Sequence, residues 1–157
     1  MDWNVRWMLH RDMSTVLGIE HESFDSPWTE EEFLRCLCSR NCIGQVAETP
    51  DAVVGFVVYE LHKHRIRILN LAVAPQHRRA GAGSAMLRRL ARKLSSDRRN
   101  RIVLEVRETN LPAQLFFKAA GYRAITVLKD WYDDSVEDAY LMQYRYAEHL
   151  VIDGEMA

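Results

Sequence analysis

LNLAVAPQHRRAGAGSAML, residues 69–87, runs from an apolar strand-like segment through Pro75 into two glycines and then a helical pattern. Gly81 and Gly83 stand where that helix begins. The N–H groups of a helix's first turn have no internal partner and carry the positive end of its dipole, so glycines there let an anion approach the backbone closely. The order strand, glycine loop, basic helix is that of a phosphate site. Neither nucleotide loop fits. A P-loop requires Gly-Lys-Ser/Thr, whereas Gly83 is followed by Ser84 and Ala85. The dinucleotide fingerprint requires a small residue where Met86 stands and an acid about twenty residues on, where the chain has arginines and Asn100.

Downstream, Leu87, Leu90, Ala91 and Leu94 share one face of a helix predicted from Gly83 to about Ser96. Between His77 and Arg101 nine Lys or Arg stand against one acid, Asp97, although the chain's net charge is −1. That segment is suited to an anion, and the acidic remainder disfavours nucleic acid. Next comes RIVLEVRETN, Arg101–Asn110, in which Ile102, Leu104 and Val106 alternate with Val103, Glu105 and Arg107. This is the period of a strand with one face in a core. Glu105 therefore sits mid-strand, either solvated on the polar face or held for chemistry. Asn110 and Pro112 open a helix that Gly121 closes, and strands Ala124–Leu128 and Ala139–Tyr146 follow.

Upstream of the glycines, a strand at Asn4–Met8 and a helix over Arg11–Phe24 precede the break Ser26-Pro27-Trp28. Thr29 with Glu32 three residues later forms a capping box for a second helix, through about Cys38. Strand-like runs at Ile43–Glu48, Ala52–Leu61 and Ile66–Ala74 are joined by turns at Thr49-Pro50-Asp51 and at His62–Arg65, which predicts an antiparallel meander. The fold class is α/β with a mixed, mostly antiparallel sheet.

The 157 residues, 48% hydrophobic, suffice for one domain with a real core and are few for two, so residues 1–157 are expected to form a single domain with 148–157 as a flexible tail. No run reaches the roughly 18 apolar residues of a membrane span and the N-terminus lacks a signal-peptide pattern, which predicts a cytoplasmic protein without a membrane partner. Cys36, Cys38 and Cys42 lack zinc-site spacing and nearby histidines, and they read as reduced thiols, with no metal expected.

Arg78-Arg79-Ala80-Gly81-Ala82-Gly83 resembles the R/Q-x-x-G-x-G/A acetyl-CoA loop of the GNAT acetyltransferase superfamily. FDSPWT at Phe24–Thr29, LNLAVAP at Leu69–Pro75, LEVRETN at Leu104–Asn110 and FFKAAGY at Phe116–Tyr122 resemble one branch of it, the ribosomal-protein-alanine N-acetyltransferases. The resemblance covers about Glu20 to Leu141. It implies the GNAT fold, in which the fourth and fifth strands splay apart and acetyl-CoA lies in the V between them. It also implies an acetyl-CoA-dependent N-acetyltransferase acting on a protein N-terminus, such as that of a small-subunit ribosomal protein beginning with alanine. A monomer or weak dimer is expected. A small amine as acceptor, or a non-catalytic acetyl-CoA-binding module, are the alternatives.

By the same resemblance, Leu71, Ala72 and Val73 would offer backbone groups to the pantetheine amide, with the Val73 N–H polarising the thioester carbonyl. Arg78, Arg79, Ala80, Gly81, Ala82, Gly83 and Ser84 would hold the pyrophosphate, and Phe117 would line the cofactor site. Asn110 would contact the pantetheine arm, cap its helix, or do both. Glu105 matches the family's general base. A carboxylate in a partly apolar slot has its proton affinity raised toward the working pH, which suits that role. Where the family commonly places an acidic tyrosine, four residues before the glycine that closes the helix, this chain has Phe117. Either another tyrosine serves, with Tyr132 the best placed, or no acid is needed, since a thiol of pKa about 8.5 leaves tolerably as thiolate. Phe24, Trp28 and the loop Asp130–Asp134, with Tyr132, are candidate walls for the acceptor. Phe24 and Trp28 read equally as core or staple residues.

Overall fold

The computed structural model describes residues 3–147, so the tail expected at 148–157 lies outside the described residues. In chain order the strands are β1 (Asn4–Trp7), β2 (Cys42–Glu48), β3 (Val53–Leu61), β4 (Arg65–Val73), β5 (Arg101–Arg107), β6 (Arg123–Leu128) and β7 (Ala139–Arg145). The helices are α1 (Met13–Ser23), α2 (Glu30–Leu37), α3 (Ala82–Ala91) and α4 (Leu111–Ala119). The sheet has the order β1-β2-β3-β4-β5-β7-β6. β4 and β5 run parallel and pair through three rungs, from Arg65 opposite Arg101 to Arg67 opposite Val103, where their pairing ends. β1–β2, β2–β3, β5–β7 and β6–β7 are antiparallel. The mixed sheet and the parting of the fourth and fifth strands are those the sequence resemblance implies.

The described residues group into two compact units, one comprising residues up to Leu61 with Ile68–Arg92, the other His62–Arg67 with residues from Lys93 onward. In the first, β2 and β3 are buried along both faces, as expected of strands covered by helices on each side. A Cβ on Gly44 would meet Leu37 of α2, and one on Gly55 would meet Met86 of α3 at 3.2 Å. Gly44 and Gly55 alternate between faces, so α2 and α3 cover opposite ones. On the α1–α2 face Met13, Val16, Ile19 and Phe33 pack with Val46, Phe56 and Val58. Phe33 stands edge-on to Phe56 at 5.6 Å between ring centroids.

Arg6 on β1 and Asp12 before α1 fasten the start of this unit. Asp12 accepts Arg6 Nη1 at 2.8 Å, Arg6 Nη2 at 2.9 Å and the Leu9 N–H at 2.8 Å. The paired guanidinium holds the buried carboxyl below its ordinary range. The native state therefore binds fewer protons here than the unfolded chain, whose aspartates titrate near about 3.9. The stabilisation is complete above that pH and is lost as pH falls through the lower native value. Burial pushes Glu20 the opposite way, so its contribution declines as pH rises above the unfolded glutamate range. The thermal midpoint is expected to fall below about pH 4, and Asp12→Asn, already less stable at neutral pH, should lose less over that interval. A pH series of thermal melts on both proteins measures this.

α3 ends five residues before the expected Ser96. The Ser95 N–H bonds the Arg99 carbonyl at 2.8 Å and its hydroxyl donates to Asp97 at 3.1 Å. This local turn competes with continued helix. In the second unit Phe116, Phe117, Tyr122 and Tyr144 form a chain of ring contacts with centroids 5.0, 5.3 and 5.4 Å apart. Gly121, at φ 97°, closes α4 in the left-handed region that favours glycine.

Candidate active site

The glycine loop belongs to the first unit. β4 ends with Leu71, Ala72 and Val73, a short 3-10 turn spans Pro75–His77, and α3 begins at Ala82 with Gly81 as its cap. Gly81 has φ 101° and Arg79 has φ 63°, so two residues of the loop occupy the left-handed region. A side chain at Gly81 would be strained although, among the described residues, only the Trp3 indole comes within 4 Å of its would-be Cβ. The loop is tied down from both sides. Arg78 Nε donates to the Val73 carbonyl at 2.9 Å and its Nη2 to the Ser23 hydroxyl at 3.0 Å. Trp3 Nε1 donates to the Ala80 carbonyl at 3.2 Å. Arg78 thus ties the loop to the end of β4 and to the last residue of α1. The first intrahelical bond of α3 here is Ala85 N–H to the Gly81 carbonyl at 2.9 Å, leaving the N–H groups of Ala82, Gly83 and Ser84 in the first-turn position that anions favour.

Glu105 and Tyr132 belong to the second unit. Glu105 lies on β5 with its side chain 13% exposed. The partly apolar slot expected for it is instead charged: Arg67 Nε lies 3.2 Å from Oε1 and 3.3 Å from Oε2, and Nη2 also donates to Oε1. Tyr132 lies in the β6–β7 loop over the Arg107 guanidinium, 3.8 Å from ring centroid to Cζ. Burial pushes its phenol up to about 12, Arg107 opposes this, and the charge of Glu105 is close enough to add to the rise. The phenol is a retained proton within electrostatic range of the carboxylate.

Arg107 also fixes the loop itself. It bonds both oxygens of Asp134 at 2.8 and 3.0 Å, and reaches Ser135 and Glu137. Asp138 is held by Lys129 and by the Asp130 N–H. Asp134 of the expected acceptor loop, with Glu137 and Asp138 beyond it, is thus engaged in holding the shape of the β6–β7 connection. Asn110 caps α4, its Oδ1 accepting the Ala113 N–H at 3.2 Å. Phe117 is 5% exposed and packs edge-on against Phe116 and Tyr122. The Tyr122 hydroxyl beside it is buried, and burial raises its phenol.

Phe24 and Trp28 return to the first unit, both packed against its core. Trp28 precedes the Thr29 cap and stands edge-on to Phe33 at 5.0 Å, one turn inside α2. This is the hydrophobic staple that the capping box at Thr29 and Glu32 accompanies. Its backbone N–H donates to Glu20 Oε2 at 2.9 Å, while Asn70 Nδ2 donates to Oε1 at 2.8 Å. Glu20, Arg67 and Arg107 were not singled out as site residues from sequence. The alternation Arg65-Ile66-Arg67-Ile68 put Arg67 on a polar strand face, but its partner depends on the β4–β5 register.

The Acetyltransferase (GNAT) family model matches residues 8–122. The [ribosomal protein bS18]-alanine N-acetyltransferase of Escherichia coli K12 is 26% identical over 83% of this chain and 89% of its own. The N-alpha-acetyltransferase of Sulfurisphaera tokodaii is 31% identical over 90% and 92%. Among solved structures, Ard1 from Thermoplasma volcanium superposes with a TM-score of 0.83 at 27% identity, covering 94% of this chain and all of its own. The match spans the glycine loop, the strand of Glu105 and the helix of Phe117, and the chain belongs to the GNAT family of N-acetyltransferases.

Proposed function

We propose that this chain, acting as one domain, transfers the acetyl group of acetyl-CoA to the N-terminal α-amine of a protein, with a ribosomal protein beginning with alanine as the leading acceptor. The observation that carries the reading is Glu105, a carboxylate held on β5 beside a phenol that keeps its proton. The acceptor is suggested by the names of the relatives from Escherichia coli and Sulfurisphaera.

An α-ammonium loses its proton at about 7.7–8.0, so near neutrality a base has only a loosely held proton to remove. Glu105 takes that proton, directly or through a water. The freed amine attacks the thioester carbonyl, whose oxygen is polarised by the Val73 N–H. Collapse of the tetrahedral intermediate breaks the carbon–sulfur bond; Tyr132 supplies a proton to the departing thiolate, and its phenolate recovers one from the second proton that the attacking nitrogen sheds as the amide forms. The first-turn N–H groups of α3 and the left-handed loop before it hold the pyrophosphate, Arg78 shaping that loop through Val73 and Ser23. Asn110 contributes to the pantetheine arm without giving up its cap.

The test is CoA release with acetyl-CoA and either peptides of varied first residue or a small polyamine. The reading predicts higher kcat/KM for a peptide beginning with alanine than for the polyamine or an N-terminally blocked peptide. Preference for the polyamine would replace the acceptor, and binding of acetyl-CoA without turnover on any amine would overturn the reading.

A further inference from the structure

The Arg67–Glu105 pair is a specific feature of this face of the sheet. The β4–β5 register sets Arg67 opposite Val103, so Glu105, two residues on, points to the same side one pleat away. The guanidinium lies across both carboxylate oxygens, and the two side chains are 31% and 13% exposed. Among the described residues, other charged or titratable groups stand near Glu105 on the same face. Arg107, two residues along β5, is engaged with Asp134 and Glu137 and stacks on Tyr132. On β7 the residue opposite Glu105 is Leu141, flanked on that face by Gln143 and Ala139, none of them charged. From the β6–β7 loop Tyr132 lies within electrostatic range. Arg65 and Arg101 stand farther down the same face.

A carboxylate base for an ammonium must be ionised before the acceptor arrives and must shed its proton afterwards. A close guanidinium serves both needs, because it favours the charged form and loses its ion pair when the carboxyl is neutral. We propose that Arg67 is the positioning residue of the base: its fork spans both oxygens of Glu105 and aims the carboxylate, and the acceptor's ammonium displaces it from one oxygen. The proton then passes from the ammonium nitrogen to Glu105, leaving a neutral amine and a neutral carboxyl. Re-formation of the pair with Arg67 drives that proton out to solvent. This rests on the reading of Glu105 as the base.

The experiment is the pH dependence of kcat/KM for a peptide acceptor in the wild type, Arg67→Met, Arg67→Lys and Glu105→Gln. Loss of the cation should move the acid limb of the Arg67→Met profile upward by about one unit or more. Below the limb the variant is then slower by about tenfold or more, while at high pH it approaches the wild type. The KM for acetyl-CoA stays unchanged, and Arg67→Lys restores most of the limb. Should Arg67→Met fail to fold, Arg67→Gln, neutral and able to hydrogen-bond, carries the same expectation. Coincident acid limbs in the wild type and the neutral variant, with Glu105→Gln strongly impaired, would overturn the role of Arg67 alone. A Glu105→Gln profile identical to the wild type would overturn the base assignment and this inference with it.

Discussion

Glu105→Gln is expected to lower kcat by about two to four orders of magnitude, the range that a positioned acid or base supplies. The substitution conserves shape. The amide oxygen still accepts from Arg67, whereas the amide nitrogen turns a donor toward the guanidinium and cannot take a proton. Residual turnover should remain, because orientation of amine and thioester and polarisation by the Val73 N–H do not depend on the base. Glu105 is not among the residues assigned to the pyrophosphate or the pantetheine arm, so the KM for acetyl-CoA should stay near the wild-type value. Steady-state CoA release at several pH values distinguishes this from a folding defect. Raising the pH toward the amine's own pKa should recover part of the rate, as free amine becomes abundant without help.

Tyr132→Phe carries the second large effect, a fall in kcat of about a hundredfold, the low end of acid assistance. The phenylalanine ring keeps its stacking over Arg107, so loop shape is largely preserved and the change removes one hydroxyl. That hydroxyl is protonated across the working range because burial raises it to about 12. Phe117→Tyr places a phenol where the resemblance to the family implies one, and kcat should rise above that of the wild type. Introduced into Tyr132→Phe, it should restore part of the lost rate. Wild-type turnover in Tyr132→Phe would mean that CoA leaves as thiolate with no acid at all. The single and double variants, compared by kcat at fixed pH, settle which holds.

Much of this architecture could be read in the sequence because local patterns carried it. The period-2 run Arg101–Arg107 became β5 with its bounds unchanged. Thr29 with Glu32 became a capping box, and Asn110 a cap, because both interactions span only three residues. The glycine loop was legible since a positive φ at Gly81 and a helix beginning immediately after it are local properties. What escaped depends on contacts distant in sequence. Arg67 and Glu105 are brought together by a parallel register over 38 residues, and Asn70 and Glu20 meet across 50. Arg107 reads in sequence as a solvated strand end, yet it anchors a loop 27 residues on. The Phe24 to Trp28 segment was legible in part, since the staple is a local motif, while the buried carboxylate that holds the Trp28 backbone is not.

Acetyl is expected to leave CoA for an N-terminal α-amine. The most direct test is fragment mass spectrometry of a peptide that begins with alanine and contains an internal lysine, after incubation with acetyl-CoA and the protein. A single acetyl group on the alanine nitrogen, formed with stoichiometric release of CoA and strongly reduced by Glu105→Gln, is the predicted result. An acetyl group on the lysine instead, or an unmodified peptide under saturating acetyl-CoA, would contradict it.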